Sequence, residues 1–311
     1  MAGRRSVSSP KSCAVIFPGI ENTVAAPTIR NAMTVDVEDY FQVSAFEKHI
    51  PRSQWDSLPD RVANNTSRIL ELFAEHQVKA TFFTLGWVAE RHPALIRRIV
   101  DEGHELASHG YEHIRVTEQT PEQFRADIKK TKQILEEIGG KEVIGYRAAS
   151  YSIGAENLWA LQILEEEGHR YSSSIYPVKH DLYGMPSAPR FAFHPQNTQG
   201  LLEIPITTLK ILNKNIPCGG GGFFRLYPYQ FSKWAYRYIN NKEKQSGIFY
   251  FHPWEIDPDQ PRQQNLPLKS RFRHYLNLNR VEDRLSHLLS DFAWDTMQNI
   301  FINPNTIRTP S

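Results

Sequence analysis

Val78-Lys-Ala-Thr-Phe-Phe-Thr-Leu85 is a short apolar run rich in aromatic and β-branched residues, and it reads as a buried strand. Pro93 then opens a helix through Asp101, where proline suits the first turn, and Gly103 closes it. Glu105-Leu-Ala-Ser108 follows as a second short strand. This strand–helix–strand unit continues in both directions. Towards the N-terminus, Val62, Ile69, Leu70 and Phe73 recur at helical spacing within Arg61 to His76, and Ala32-Met-Thr-Val-Asp-Val37 is a strand ending in acids. Towards the C-terminus, Thr120-Pro-Glu-Gln123 is a capping box that starts a helix, and Gly139-Gly140 stops it. Val143 to Tyr146 is a strand, Ala155 to Glu167 a helix and Gly168 its stop. Strands alternating with helices of about three turns are the mark of an α/β fold with a parallel sheet or barrel.

After residue 170 the regularity weakens. Residues 176–200, rich in proline, histidine and aromatics, read as a long ordered loop. Ile248 to Phe251 is a late strand and Val281 to Asp291 a last helix. No clean linker divides the chain. The expected organisation is a disordered leader over 1–31, one domain over 32–300 whose second half from about 171 is elaborated, and a frayed tail over 301–311.

Of the 311 residues, 40% are hydrophobic and 23% charged, an ordinary globular composition. The 36 Lys and Arg against 34 Asp and Glu leave +2, which argues against a nucleic-acid partner. Two distant cysteines, Cys13 and Cys218, exclude a disulfide framework and a cysteine zinc finger. Any metal site must therefore use His and carboxylates. No apolar run approaches the roughly 20 residues that span a bilayer. The Arg4-Arg5 and Cys13 to Ile20 stretch imitates a signal peptide only faintly, so a cytoplasmic location without membrane insertion is expected.

In α/β folds functional groups collect beyond the C-terminal ends of parallel strands. Those positions carry Asp36-Val-Glu38-Asp39, His109-Gly-Tyr-Glu-His113, Arg147-Ala-Ala-Ser-Tyr151 and His252-Pro-Trp-Glu255. His109 and His113 are four apart, so on a helical turn they would share one face and grip one ion. Two imidazoles and a carboxylate make a common open zinc site. Asp36 and Glu38 lie on the same side of an extended chain, and three acids in four residues repel one another unless a cation offsets them. Each segment alone has a bland reading: surface histidines, a solvated acidic loop, a surface ion pair, a packed core histidine. Together at strand ends they favour a metal hydrolase.

These segments, with Thr81-Phe-Phe-Thr84 and Glu102 to His113, resemble the polysaccharide deacetylases of carbohydrate esterase family four, the NodB-like enzymes. The likeness runs from about Met33 to His252. Asp36 to Val43, Ser174 to Pro177, His180 to Gly184, Gly219 to Pro228 and Phe251 to Glu255 resemble a subfamily found with bacterial exopolysaccharide and exosortase gene clusters, and extend the likeness to about residue 300. The resemblance implies a distorted barrel of seven parallel strands with helices outside, and removal of acetyl from an N-acetylated glycan, in association with polysaccharide synthesis machinery. It implies a divalent cation, zinc or alternatively cobalt, on His109, His113 and a carboxylate. It makes Asp36 the general base, Arg147 its orienting partner and His252 the acid. Where family members with adjacent acids use the second as ligand, this chain has Val37; parity favours Glu38, with Asp39 in reserve.

One departure stands out. The family's aspartate–serine segment is here Tyr171-Ser-Ser-Ser174, so Ser172 stands where an aspartate tunes the late histidine. The expectation is that His252 loses its carboxylate and its pKa falls, unless Asp181 substitutes. Tyr151, Trp254 and the backbone of Gly220 and Gly221 are the expected substrate contacts. Gly219 to Gly222 lacks the Lys-Ser/Thr and helix start of a phosphate loop. Trp87, Trp234 and Trp254 could each stack on a sugar ring, with core packing the default, and a solvated surface is the default for the basic Lys269 to His274. The competing functions are a metal-independent C–N hydrolase of a small molecule, an activity the same fold hosts, and a non-catalytic glycan-binding scaffold, which Ser172 favours.

Overall fold

The structure is a computed structural model that describes residues 29–180, 183–263 and 266–304. Most of the expected leader, Asp181 and most of the expected tail lie outside the described residues. Arg30 and Asn31, assigned to the leader, instead begin the first strand.

Ten strands are described: β1 (Arg30–Val37), β2 (Thr81–Thr84), β3 (Glu105–Ser108), β4 (Gly145–Tyr146), β5 (Tyr171–Ser172), β6 (Leu202–Glu203), β7 (Thr208–Ile211), β8 (Lys214–Pro217), β9 (Ile248–Phe251) and β10 (Ala293–Asp295). β7 and β8 form an antiparallel hairpin. The other eight make one curled parallel sheet: β1 to β6 pair in chain order, and β9 and β10 both pair with β1. The helices are α1 (Val62–Glu75), α2 (Gly86–Arg91), α3 (Pro93–Asp101), α4 (Pro121–Gly139), α5 (Trp159–Glu166), α6 (Gly221–Leu226), α7 (Tyr229–Tyr238), α8 (Leu268–Tyr275) and α9 (Val281–Asp291). This is a distorted parallel (β/α) barrel with eight strands in its sheet, one more than the seven that the resemblance implies.

Strand parity places the chemistry. Met33, Val35 and Val37 of β1 and Phe249 and Phe251 of β9 pack with Ile69, Leu70, Ile96 and Leu285 of the surrounding helices. The alternate positions, Ala32 of β1 and Ile248 and Tyr250 of β9, join Phe83 and Ala107 on the other face. Period-two alternation then turns Thr34 and Asp36, and next His252, to that second face.

α4 has the capping box its sequence announced: Gln123 N donates to Thr120 Oγ1 at 3.3 Å, Thr120 N donates to Gln123 Oε1 at 2.9 Å, and Gly140 closes the helix at φ 62°. α5 starts at Trp159 rather than Ala155 because Asn157 closes a turn first, accepting from Gly154 N and donating to Ser152 O. The glycine run does open a helix, α6, against expectation, though one of only six residues.

Candidate active site

Asp36 is the penultimate residue of β1 and is buried beside Arg147, the residue that follows β4. Arg147 Nη1 donates to Asp36 Oδ1 at 2.5 Å and to Thr34 Oγ1 at 2.9 Å, and its guanidinium lies 4.0 Å from the centre of the Phe83 ring. Burial by itself would raise the Asp36 pKa; Arg147, with His109 and His252, outweighs it, so the carboxyl sits below its usual range. The Tyr151 hydroxyl donates to Asp36 Oδ2 at 3.4 Å.

Glu38 also lies where parity put it. Its ligand oxygen and one nitrogen each of His109 and His113 all lie within 4.8 Å of one another, and all three residues are buried. His109 and His113 are not on a helical turn. They sit on a loop after β3 that folds back through two left-handed residues, Gly110 at φ 76° and His113 itself at φ 54°. Histidine tolerates that region better than branched residues do, but it is an uncommon and strained conformation. His109 Nδ1–H donates to Arg147 O at 2.8 Å, so its Nε2 presents a lone pair. Burial lowers the pKa of His109, and lowers that of His113 further with help from the neighbouring His109 and His252 charges.

Glu38 Oε2 is buried with no hydrogen-bond partner although it lies 3.1 Å from His113 Nε2. Burial raises the Glu38 pKa to about 7. Two neutral imidazoles and an orphaned carboxylate oxygen facing one another are the donor set that a tetrahedral zinc-like ion satisfies, with room for water. The residues therefore fit a divalent cation. Asp39, the reserve ligand, is turned away: its oxygens accept from Tyr40 N at 2.7 Å, Arg61 N at 2.7 Å and Val62 N at 2.9 Å, capping the start of α1.

The largest correction concerns His252. It does have a carboxylate partner: its Nδ1–H donates to Glu255 Oε1 at 2.6 Å, three residues on, across a turn that Pro253 opens. Glu255 is fully buried and receives Arg225 Nε on its other oxygen at 2.7 Å. Burial would lower the His252 pKa, but Glu38 and Glu255 outweigh it, and the imidazole rises to about 9 instead of falling. Ser172 is no vacancy beside His252; its hydroxyl donates to Ser174 Oγ at 2.8 Å. Asp181 lies outside the described residues.

His252 Nε2 stands 3.5 Å from Glu38 Oε1 and 3.9 Å from Asp36 Oδ2. A pocket of about 160 Å³ opens over these groups, walled by Tyr151, Tyr183, Tyr250 and Trp254. Trp254 is wedged between His252 and His274, ring centres 5.2 Å and 4.2 Å away and nearly parallel. The His274 end of the basic 269–274 stretch is thus buried under the site rather than solvated.

Gly220 and Gly221 do not line the pocket. A Cβ on Gly220 would lie 2.4 Å from the Tyr250 ring, and one on Gly221 would lie 2.3 Å from the Glu255 carboxylate, so the glycines let α6 close over residues behind the site. Sequence reasoning missed the roles of Glu255, Arg225 and Tyr250. The signal for Glu255 was the capping-box spacing of His252-Pro-Trp-Glu255, and for Tyr250 its parity with His252.

Residues 53–172 match the polysaccharide deacetylase family, and residues 173–302 match a domain of unknown function, DUF3473. A peptidoglycan-N-acetylglucosamine deacetylase of Bacillus cereus is 40% identical over 75 residues, 24% of this chain and 27% of that protein. A chitooligosaccharide deacetylase of Rhizobium leguminosarum bv. trifolii is 41% identical over 70 residues, 22% of this chain and 33% of that protein. The aligned stretches thus span a third or less of either relative. A crystal structure of a candidate polysaccharide deacetylase from Mycobacterium smegmatis shares the fold over 93% of this chain and 96% of its own, with a TM-score of 0.57 at 18% identity. The PuuE allantoinase structure is as similar, with a TM-score of 0.57 at 18% identity over 92% of this chain and 96% of its own. Residues 53–172 are thus a segment of the polysaccharide deacetylase type, and the chain as a whole shares the fold of the two solved structures.

Proposed function

We propose that this protein is a divalent-metal-dependent N-deacetylase acting on an N-acetylated sugar of a bacterial exopolysaccharide or its precursor, as one catalytic unit. The observation that carries the reading is the buried Glu38, His109 and His113 set, with Asp36 held by Arg147 and His252 held by Glu255 beside it. A cation held by that set, zinc in this reading, supplies Lewis acidity towards an amide carbonyl and a water.

The chain's own residues do the rest. Asp36 Oδ2, the oxygen that Arg147 does not hold and that lies 3.4 Å from the Tyr151 hydroxyl, accepts a proton from water. His252 Nε2 faces the same space and donates its proton to the departing amine. Glu255 fixes the imidazole with Nε2 inward and keeps it charged. The pocket volume of about 160 Å³ suits an acetamido arm with the sugar at the mouth, and Tyr151, Tyr183 and Trp254 offer ring surfaces there.

The likeness to an allantoinase shows the fold alone, and the His/His/Glu set speaks against a metal-free hydrolase. The scaffold reading loses its footing once Glu255 takes the place expected of an aspartate at Ser172. The test is mass spectrometry of chito-oligosaccharides incubated with the zinc-loaded protein. Products lighter by whole acetyl groups support the reading; unchanged oligosaccharides alongside hydrolysis of a small cyclic amide overturn it.

A further inference from the structure

Residues 204–242 contain no Asp or Glu but six basic residues, in a chain whose overall net charge is only +2. The stretch folds into the β7–β8 hairpin and helices α6 and α7. The hairpin is rooted on α7: Leu209 and Cys218 pack with Ala235 and Ile239, and Phe231 closes over them. At its tip, beside the exposed Asn213, Leu212 is 93% exposed and Ile211 is exposed too. Trp234, placed in the core by the sequence reading, is instead 48% exposed, and it joins Phe231 and Tyr238 in a line of rings with centres 5.9 Å and 6.2 Å apart. Lys210, Lys214, Arg237 and Lys242 are exposed around these groups, whereas Lys233 pairs with Asp291 and Arg225 with Glu255.

We infer that this face docks the protein on an anionic lipid surface. An aliphatic tip flanked by lysines, next to a Trp–Tyr stripe with basic edges, combines the three elements of interfacial attachment: apolar insertion, amphipathic aromatics at headgroup depth and attraction to anionic lipid. A glycan would use ring faces and polar groups, and it gives Leu212 and the missing acids no role. No described helix is long and apolar enough to cross a membrane. This inference stands on the surface itself and does not depend on the deacetylase reading.

The test is flotation of the full chain with vesicles of phosphatidylcholine alone or mixed with phosphatidylglycerol, with thermal melting to check folding. The protein should partition onto the anionic vesicles and only weakly onto the neutral ones, and added salt should release it. Leu212→Glu should reduce the partition at least about tenfold, as expected for losing a buried leucine. Lys210→Gln and Lys214→Gln should each reduce it about fivefold. Absence of binding to anionic vesicles, or full binding by a folded Leu212→Glu/Trp234→Glu protein, would overturn the inference. So would a dimer that these substitutions dissolve, or capture of chito-oligosaccharide by this face in place of lipid.

Discussion

Replacing Glu255 with Gln keeps the shape of the side chain and removes its charge. The hydrogen bond from His252 Nδ1, 2.6 Å long, then changes from charge-assisted to neutral. Charge-assisted bonds contribute about 1.5–3 kcal/mol and neutral ones about 0.5–1.5, so the imidazolium loses roughly 1–2 kcal/mol. One pKa unit is about 1.4 kcal/mol, so the His252 pKa falls by about one unit. With a cation on Glu38 the pull of that carboxylate on His252 is offset, which leaves Glu255 as the main support. An acid must be protonated to act, so activity is lost as pH rises through the His252 pKa. Glu255→Gln should therefore move the alkaline limb of the kcat profile about one unit lower, with about a tenfold loss of rate above it. The assay is acetate release from chito-oligosaccharide across pH with saturating zinc. Melting must be followed in parallel, because Arg225 loses its buried partner. Gly221→Ala is the independent arm: its Cβ would meet the Glu255 carboxylate and displace it without altering charge, and the limb should move the same way. A folded Glu255→Gln protein whose alkaline limb stays in place refutes the reasoning.

His109→Ala and His113→Ala should abolish stoichiometric zinc binding by metal analysis, while Asp39→Ala keeps the metal and loses about 1 kcal/mol of stability in denaturant titration, the usual worth of a helix cap. Asp36→Asn should retain zinc and lose at least about a hundredfold in kcat; near-native turnover would remove Asp36 as the base. Ser172→Asp should leave the pH profile unmoved and destabilise the fold, since it buries a second carboxylate beside Ser174 and the buried Glu203. His104 is buried, accepts from Ala80 N at 3.1 Å, and is pushed down to about 3 by burial. The unfolded chain therefore binds its proton first, and stability present above about pH 6.5 is lost as pH falls towards 3, by at most about 1.4 kcal/mol per unit. Urea titrations near pH 7 and near pH 5.5 should show that slope reduced in His104→Gln, and an equal slope would assign the acid sensitivity elsewhere.

The first half of the fold was legible because its elements are long enough to show a period. β1, β3, α3 and α4 fall within two residues of their sequence assignment, and α4 announced both ends through Thr120 and Gly140. Parity also placed Asp36 and Glu38 on one face. Beyond residue 170 the signal was too short to read: β5 and β6 are two residues each, held by neighbours distant in sequence rather than by local propensity. The same limit explains His252. The resembled family carries that carboxylate at the position of Ser172, whereas here Glu255 sits three residues on, on the same loop. Spacing alone suggested a helical His109/His113 pair, whereas Gly110 and His113 bring the rings together through left-handed backbone. Trp234 shows the converse error: aromaticity predicts burial, but α7 turns that edge outward.

The most direct test of the account is a zinc titration of the chelated protein with acetate release from chito-oligosaccharide measured at each step. The account predicts no release from the metal-free chain and a rate that rises with bound zinc and saturates at one ion per chain. Release at an undiminished rate with no metal bound, or none with the site filled, would contradict it.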